Sequence, residues 1–160
     1  MMKKQMILHK VFILIAFLSF FNTLQAQQAS HEKSKNDLYD TYFDEAGNHY
    51  NIPPLLLKKI ATIESGINPH AINKNDNGTI DYGLMQINST HLRELAQWGI
   101  DEKNILDPKV NIYAGSWLLS RHIKKHGFNL QAIGNYHSAT QIYKDRWLDR
   151  LLYAFKQSSQ

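Results

Sequence analysis

A tract that no regular helix could accommodate lies between stretches with helical periodicity. It covers residues 68–83, reads NPHAINKNDNGTIDYG, and is dense in Asn, Asp, Gly and Pro. Asn and Asp favour turns because their side chains bond to nearby backbone, and Gly readily adopts positive φ. The pair Asn77-Gly78 is typical of a tight hairpin turn. We therefore expect a small hairpin or ordered β lobe inserted into an otherwise helical chain.

The segments on either side of this tract have apolar residues at helical spacing. Proline at the first position of a helix and glycine just after its end mark several boundaries, because each suits the backbone there. The spacing predicts a mainly α (α+β) fold with helices over residues 37–50, 54–65, 89–98, 108–126, 130–137 and 143–155.

The first 26 residues have the pattern of a secretory signal peptide. Three lysines precede an uncharged, mostly apolar run over residues 11–21, and a polar stretch follows. This run is shorter than the roughly 20 apolar residues that span a bilayer. We expect cleavage after Ala26, and a retained N-terminal anchor is the alternative. Residues 27–36 would then be a flexible lead-in, and residues 37–157 would form one domain.

Charge and composition exclude several classes of protein. The net charge of the chain is +4, but three lysines lie in the first 26 residues, so the remainder has a net charge of +1. No cluster of Lys and Arg indicates a nucleic-acid partner. The chain has no Cys, so an exported protein with this sequence depends on packing and not on disulfides. We expect a periplasmic monomer.

Glu64 is the residue that fits its local pattern least. In LKKIATIESGINPH, residues 57–70, apolar side chains recur at helical spacing, and Glu64 takes the next place on that apolar stripe. Burial and the negative end of the helix dipole would both raise the pKa of such a carboxyl. A carboxylic acid that stays protonated can deliver a proton to a glycosidic oxygen. The alternative is a glutamate that turns into solvent at the end of the helix.

Three short motifs follow one another along the chain. They are Glu64-Ser65-Gly66, GLMQI at residues 83–87 and GNYHS at residues 134–138. Together they resemble the soluble lytic transglycosylase (SLT domain) family, and the resemblance extends over residues 38–153. The segments NGTIDYGLMQINSTHL and DPKVNIYAGSWLL are similar to short family members that accompany type III and type IV secretion systems and pili.

This resemblance implies a lysozyme-like fold and an enzyme that acts on peptidoglycan. Such enzymes cleave the β-1,4 bond between N-acetylmuramic acid and N-acetylglucosamine without water and leave 1,6-anhydro ends. Carried over to this chain, Glu64 acts first as an acid and then as a base, and no metal or other cofactor is needed. The short members further imply secretion, conjugation or pilus components as partners, for which the enzyme opens the wall locally.

The resemblance also implies supporting roles around Glu64. Ser65 would hold the local geometry or only cap the end of the helix. Gly83 would permit a close approach of backbone and sugar, with a tight turn as the alternative. Met85 would form the floor of the sugar site or fill the core. Gln86 would bond to sugar amides, or serve as a buried structural amide.

The third motif matches the family only in part. Tyr136 corresponds to the family tyrosine that hydrogen bonds the catalytic glutamate, and it also lies on an apolar stripe. The usual Tyr-Asn-Ala-Gly is replaced here by Tyr136-His137-Ser138-Ala139. His137 would therefore take the place of the asparagine in holding the cleft, or face solvent.

Three other functions compete with this interpretation. A hydrolytic lysozyme would need a second carboxylate near Glu64, and Asp81 is the candidate. A metal enzyme is not expected, because His122 and His126 lack both an intervening Glu and an evident third ligand. A non-catalytic protein that only binds the wall would have lost the acid, and Glu64 is present.

Overall fold

The computed structural model of the chain describes residues 39–157, together with Thr23 and Gln25, which are helical and exposed. Apart from those two residues, the predicted signal peptide lies outside the described residues, and so does the predicted lead-in. Among the described residues, no helix is long and apolar enough to cross a membrane.

From residue 39 onward the chain forms helices interrupted by one small sheet. The first helix, α1, is described over residues 39–50. The other elements are α2 Pro54–Ser65, β1 Ile72–Lys74, β2 Ile80–Tyr82, β3 Ile87–Asn88, α3 Leu92–Leu95, α4 Pro108–His126, α5 Leu130–Gly134 and α6 Gln141–Lys156. This order confirms the prediction of a mainly α fold with a small β lobe.

The two helices with clear terminal signals occupy the predicted residues. Helix α2 begins at Pro54 and ends before Gly66, which has a φ of +66° that suits glycine. Helix α4 begins at Pro108, where the Asp107 side chain accepts the N–H of Val110 at 3.0 Å. Both ends are set by local chemistry, and this explains why the sequence predicts them.

Two predicted helices are shorter in the structure. Residues 89–98 form a 3₁₀ turn, the single turn α3 and a second 3₁₀ turn, and Leu95 is the residue buried within them. Without a continuous buried face, the segment has little packing to hold a longer helix. Helix α5 ends at Gly134, and the N–H groups of Tyr136 and His137 then bond three residues back. These tight turns replace the predicted continuation to residue 137.

The β lobe is a three-stranded antiparallel sheet in the order β1-β2-β3. Asn73 lies opposite Asp81, and Asp81 lies opposite Asn88. Residues directly opposite one another on neighbouring strands point to the same face. One face of the sheet therefore carries a row of polar side chains across all three strands.

Asn111 of α4 joins the lobe to the helices. Its side chain is fully buried and accepts the N–H of Met85 at 2.7 Å. Its amide donates to the carbonyls of Tyr82 and Ile105, both at 2.9 Å. A Cβ on Gly83, whose φ is +70°, would lie 2.5 Å from the Asn111 amide nitrogen. Glycine is required there because the lobe and α4 approach so closely.

The apolar core lies under the lobe and between the helices. Helix α2 packs against α6, and α4 packs against α5. The largest fully buried apolar side chains are Trp147, Phe43, Leu57, Ile60, Leu84, Met85, Ile87, Leu95, Ile105, Ile112 and Leu119. The strands and the helices thus share one core, which fixes the lobe relative to the end of α2.

Replacing Asn111 with Ala should destabilise the protein strongly. It leaves one buried N–H and two buried carbonyls without partners, and we expect a loss of about 3 kcal/mol in the free energy of unfolding. Asn48→Ala, at an exposed position of α1, is the matched control and should change it by less than about 0.5 kcal/mol. Urea unfolding measures both variants, and equal stabilities would contradict the role given to Asn111.

Candidate active site

A groove of about 680 Å³ lies where the end of α2 meets the polar face of the sheet. Its walls come from α2, the sheet, α4 and the turn after α5. Its lining includes Glu64, Asn73, Asn75, Asp81, Gln86, Asn88, His91, His122, Tyr136 and His137. The volume falls within the range of small-molecule sites, and most of the lining can form hydrogen bonds.

The sheet contributes a fixed network of amides to this groove. The side-chain amides of Asn75 and Asn88 donate to the two carboxylate oxygens of Asp81, at 2.9 and 2.7 Å. Asp81 therefore uses both oxygens to hold neighbouring strands and turns together. The arrangement orients the remaining amide and hydroxyl groups before any ligand arrives.

Glu64 lies at the end of α2 with its side chain only 12% exposed. The indole N–H of Trp147, on α6, donates to its Oε1 at 2.8 Å. Among the described residues, nothing forms a hydrogen bond with Oε2. A donor fixed at Oε1 leaves Oε2 as the oxygen that can carry a proton and exchange it with a ligand.

His137 lies next to both Glu64 and Trp147. Its ring is stacked on the Trp147 indole, with centroids 5.5 Å apart and planes 7° from parallel. Its Nδ1 is 3.6 Å from Oε1 of Glu64, and its side chain is 37% exposed. His137 therefore lines the groove and is also partly exposed to solvent. When protonated, the imidazole adds a positive charge beside the carboxylate.

Ser65 connects the end of α2 with the lobe. Its hydroxyl donates to the Leu84 carbonyl at 2.9 Å and accepts the N–H of Asn68 at 3.0 Å. A longer contact of 3.3 Å reaches the Ala61 carbonyl within the helix. These bonds favour the first of the two roles expected for Ser65, because they hold the local geometry next to Glu64.

For Gly83 and Met85 the structure favours the second of the two roles expected for each, a turn and a place in the core. Neither residue lines the groove. Gly83 is needed for its positive φ and for the close approach of Asn111, not for an approach to sugar. Met85 is fully buried, and a Cβ on Gly115 would lie 2.8 Å from its own Cβ. Met85 is therefore part of the core and not the floor of the site.

Gln86 lines the groove with an unusual backbone. Its φ is +49°, and that of Ile67 just after α2 is +60°. Positive φ is unfavourable for such residues and is often found near functional sites. The Gln86 amide donates to the Gly83 carbonyl at 2.8 Å, and its oxygen accepts from Asn73. Gln86 thus combines the structural role with a place on the groove wall.

Tyr136 does not donate to Glu64 as the resemblance implied. Its hydroxyl donates to the Met85 carbonyl at 2.7 Å. Burial raises the pKa of the Tyr136 phenol well above its ordinary value, and the nearby carboxylates of Glu64 and Asp81 raise it further. The phenol therefore keeps its single proton on Met85, and Trp147 takes the place of the expected tyrosine at Glu64.

Two histidines form the far end of the groove. Burial lowers the pKa of His91, as does Arg121, against an opposing effect of Glu94 and Asp81. Burial also lowers the pKa of His122, followed by the positive field of its basic neighbours. Both imidazoles are thus held neutral at neutral pH and can donate or accept hydrogen bonds. The described residues contain no group of three side chains suited to a metal ion.

Trp147 is the residue that sequence reasoning missed. It lies 83 positions from Glu64 and within a helix whose apolar spacing indicates core packing. The available signal was its N–H, because a buried indole needs an acceptor and a buried carboxyl needs a donor.

The helical body, the small antiparallel sheet and a carboxyl at a helix end in an amide-lined groove define a lysozyme-like enzyme domain that acts on glycans. A family model described as "Transglycosylase SLT domain" matches residues 41–150. The chain belongs to this family, and it is a peptidoglycan lytic transglycosylase. The fold, the family and the class of enzyme predicted from the sequence are therefore confirmed.

Relatives with similar sequences cover most of the chain. Protein IpgF of Shigella flexneri is 40% identical over 113 residues, 70% of this chain and 73% of the relative. Invasion protein IagB of Salmonella typhi is 37% identical over 134 residues, 83% of this chain and 75% of the relative. A peptidoglycan-binding-like protein of Escherichia coli O157:H7 is 38% identical over 122 residues, 71% and 72% of the two chains.

Replacing Trp147 with Phe should lower kcat while leaving KM little changed. The phenyl ring keeps part of the aromatic packing, but Glu64 loses the donor that holds Oε1, and we expect a loss in kcat between about tenfold and a hundredfold. Trp98→Phe, at an exposed position away from the groove, is the matched control. Release of soluble fragments from purified peptidoglycan measures the rates. An unchanged kcat in a folded Trp147→Phe protein would contradict this role.

Proposed function

We propose that Glu64 is the single acid and base of a cleavage that consumes no water. The bond cleaved is the β-1,4 linkage between N-acetylmuramic acid and N-acetylglucosamine, and the product carries a 1,6-anhydro-muramyl end. The observation that supports this most directly is the hydrogen bond from Trp147 to Oε1, which leaves Oε2 of a nearly buried carboxyl for proton transfer in the groove.

The proton balance of this reaction needs one carboxyl. Protonated Glu64 gives its proton to the glycosidic oxygen, and the bond from that oxygen to C1 of the muramyl sugar breaks. The resulting carboxylate stabilises the positive charge that develops at C1 and takes the proton of the C6 hydroxyl. The C6 oxygen then bonds to C1 and closes the anhydro ring. Glu64 ends protonated, as it began.

The groove supplies groups suited to an acetylated sugar. Asn73 and Asn88 come from the sheet, Gln86 from the loop between β2 and β3, and His137 from the turn after α5. Amide and imidazole groups pair with hydroxyl and acetamido groups, which both donate and accept hydrogen bonds. We assign substrate positioning to Gln86 and His137, and support of the acid to Ser65 and, through Met85, to Tyr136.

Hydrolysis with Asp81 as second carboxylate is the competing reaction. Asp81 lines the same groove as Glu64, so its position is compatible with this reaction. Both of its oxygens, however, already accept hydrogen bonds from Asn75 and Asn88. These two bonds tie β2 to β3 and to the turn at Asn75, so the Asp81 carboxylate already has a structural role in the lobe. Its contacts support a structural role and therefore the single-acid mechanism.

Mass spectrometry of peptidoglycan digests separates these reactions. We expect native protein to release fragments with anhydro ends, one water lighter than reducing ends. Glu64→Gln should lower their release by more than about a hundredfold, because the amide cannot donate a proton as an acid. Asp81→Asn should reduce the rate less and leave the anhydro product unchanged. Fragments with reducing ends from native protein would instead establish hydrolysis, and binding without any cleavage would indicate a non-catalytic wall protein.

We further propose that the protein is exported to the periplasm by residues 1–26 and opens the wall locally for a secretion, conjugation or pilus apparatus. The signal-like pattern supports export. The resemblance to short secretion-associated members, together with 37% identity to a protein named for invasion, supports a role with such an apparatus.

Cells that carry Glu64→Gln at the native locus should assemble fewer of these envelope-spanning structures than wild-type cells. The expected cause is the intact wall at each assembly site, since the variant keeps the fold but not the acid. Counting assembled structures by electron microscopy, with Asp81→Asn cells as the comparison, measures the effect. Normal assembly in Glu64→Gln cells that contain no active peptidoglycan-cleaving paralogue would rule out the role.

A further inference from the structure

A second pocket, of about 480 Å³, adjoins the groove and shares His91, Leu118 and His122 with it. Its other walls come from the end of α4, from α5 and from the beginning of α6. We call it the basic pocket, after the cationic side chains that line it, which are Arg121, Lys125 and Lys144. The described residues that line it include no Asp or Glu.

Lys144 is the feature that distinguishes this pocket from an ordinary basic surface. The residue is only 2% exposed, and its aliphatic stem crosses Gly134 so closely that a Cβ there would lie 2.4 Å from its Cγ. Among the described residues, its ammonium group has no acceptor. Since its nitrogen is not among the buried atoms that lack a partner, it keeps some exposure, and the lysine lines the pocket while its stem is buried. A lysine held in this way at a polar pocket favours an anionic ligand.

The other charges around the pocket agree with this preference. Arg121 is partly compensated, since it pairs with Glu94 at 2.5 Å and lies over the Trp117 ring. Lys125 is exposed and contributes a further positive charge. The positive neighbours of His122 help to lower its pKa, as expected where cations outnumber anions. Gln131 and Asn135 add amides that can bond to a peptide backbone.

We propose that the basic pocket binds a carboxylate of the peptide that branches from the glycan, so that the enzyme favours peptide-bearing strands. This rests on the proposed function, since it places that branch beside the glycan groove. The peptide leaves the muramyl sugar through its lactyl group and carries free carboxylates. A pocket that opens from the side of the glycan groove is where such a branch can be received, and Lys144 supplies the charge that a carboxylate requires.

Comparing peptide-bearing strands with strands stripped of peptide by an amidase tests this preference. Lys144→Met keeps the stem and removes the charge, and we expect it to lower the ratio of kcat/KM for peptide-bearing to stripped strands by about tenfold. Lys125→Gln, at an exposed position, should lower that ratio by about threefold. This variant provides the test if Lys144→Met folds poorly. Lys124→Gln, outside the pocket, is the control and should leave the ratio unchanged. An unchanged ratio in folded Lys144→Met and in Lys125→Gln overturns the proposal.

A binding measurement keeps the two proposals separable. Calorimetry with Glu64→Gln protein compares a disaccharide-peptide fragment, the same fragment with amidated carboxylates, and acetate alone. We expect the free-carboxylate fragment to bind about tenfold more tightly than the amidated one, and this difference to vanish in the Glu64→Gln/Lys144→Met double variant. Equal binding of the two fragments, or acetate binding with no gain from the peptide, overturns the pocket assignment. Failure of native protein to form anhydro ends affects only the proposed function.

Discussion

The three hydrogen bonds of Asn111 are the constraint on which the β-lobe side of the site depends. They join α4 to the backbone on both sides of Gly83, and so fix the segment that carries Met85 and Gln86. Without them, three buried backbone groups would need other partners inside a dry core. The β lobe is too small to be stable alone, since its strands are two or three residues long. Its position above the helices is therefore set by α4.

The acid depends on a different set of elements. Glu64 comes from α2, its hydrogen-bond donor Trp147 comes from α6, and His137 comes from the turn after α5. Helices α2 and α6 pack together, so the distance between the carboxyl and the indole is fixed by a well-packed interface. The helices thus position the proton donor, while the lobe positions the groups suited to holding a sugar. Ser65 and Tyr136 connect the two sets through the carbonyls of Leu84 and Met85.

The sequence predicts those features whose causes are local. Pro54, Gly66 and Pro108 act within a few residues of themselves, and the helix boundaries that they mark are found in the structure. The helix over residues 89–98 is wrongly predicted, because its apolar spacing has no matching buried face. Resemblance to a family identifies Glu64 and Gln86 as groove residues, but it does not tell which way a side chain points. Met85 and Gly83 belong to the same motif as Gln86, yet both are buried in the structure and do not line the groove.

Trp147 shows the general limit of such predictions. Its role arises from a contact across 83 positions, and neither periodicity nor a short motif encodes it. The sequence does contain both groups, and each needs a partner when buried, because an indole N–H requires an acceptor and a carboxyl requires a donor. The departure from Asn to His at residue 137 is related to the same contact, since the imidazole stacks on this indole beside the acid. An asparagine could not form that stack, so the substitution is best understood together with Trp147, as a stacked pair whose ring nitrogens both lie near Oε1 of Glu64.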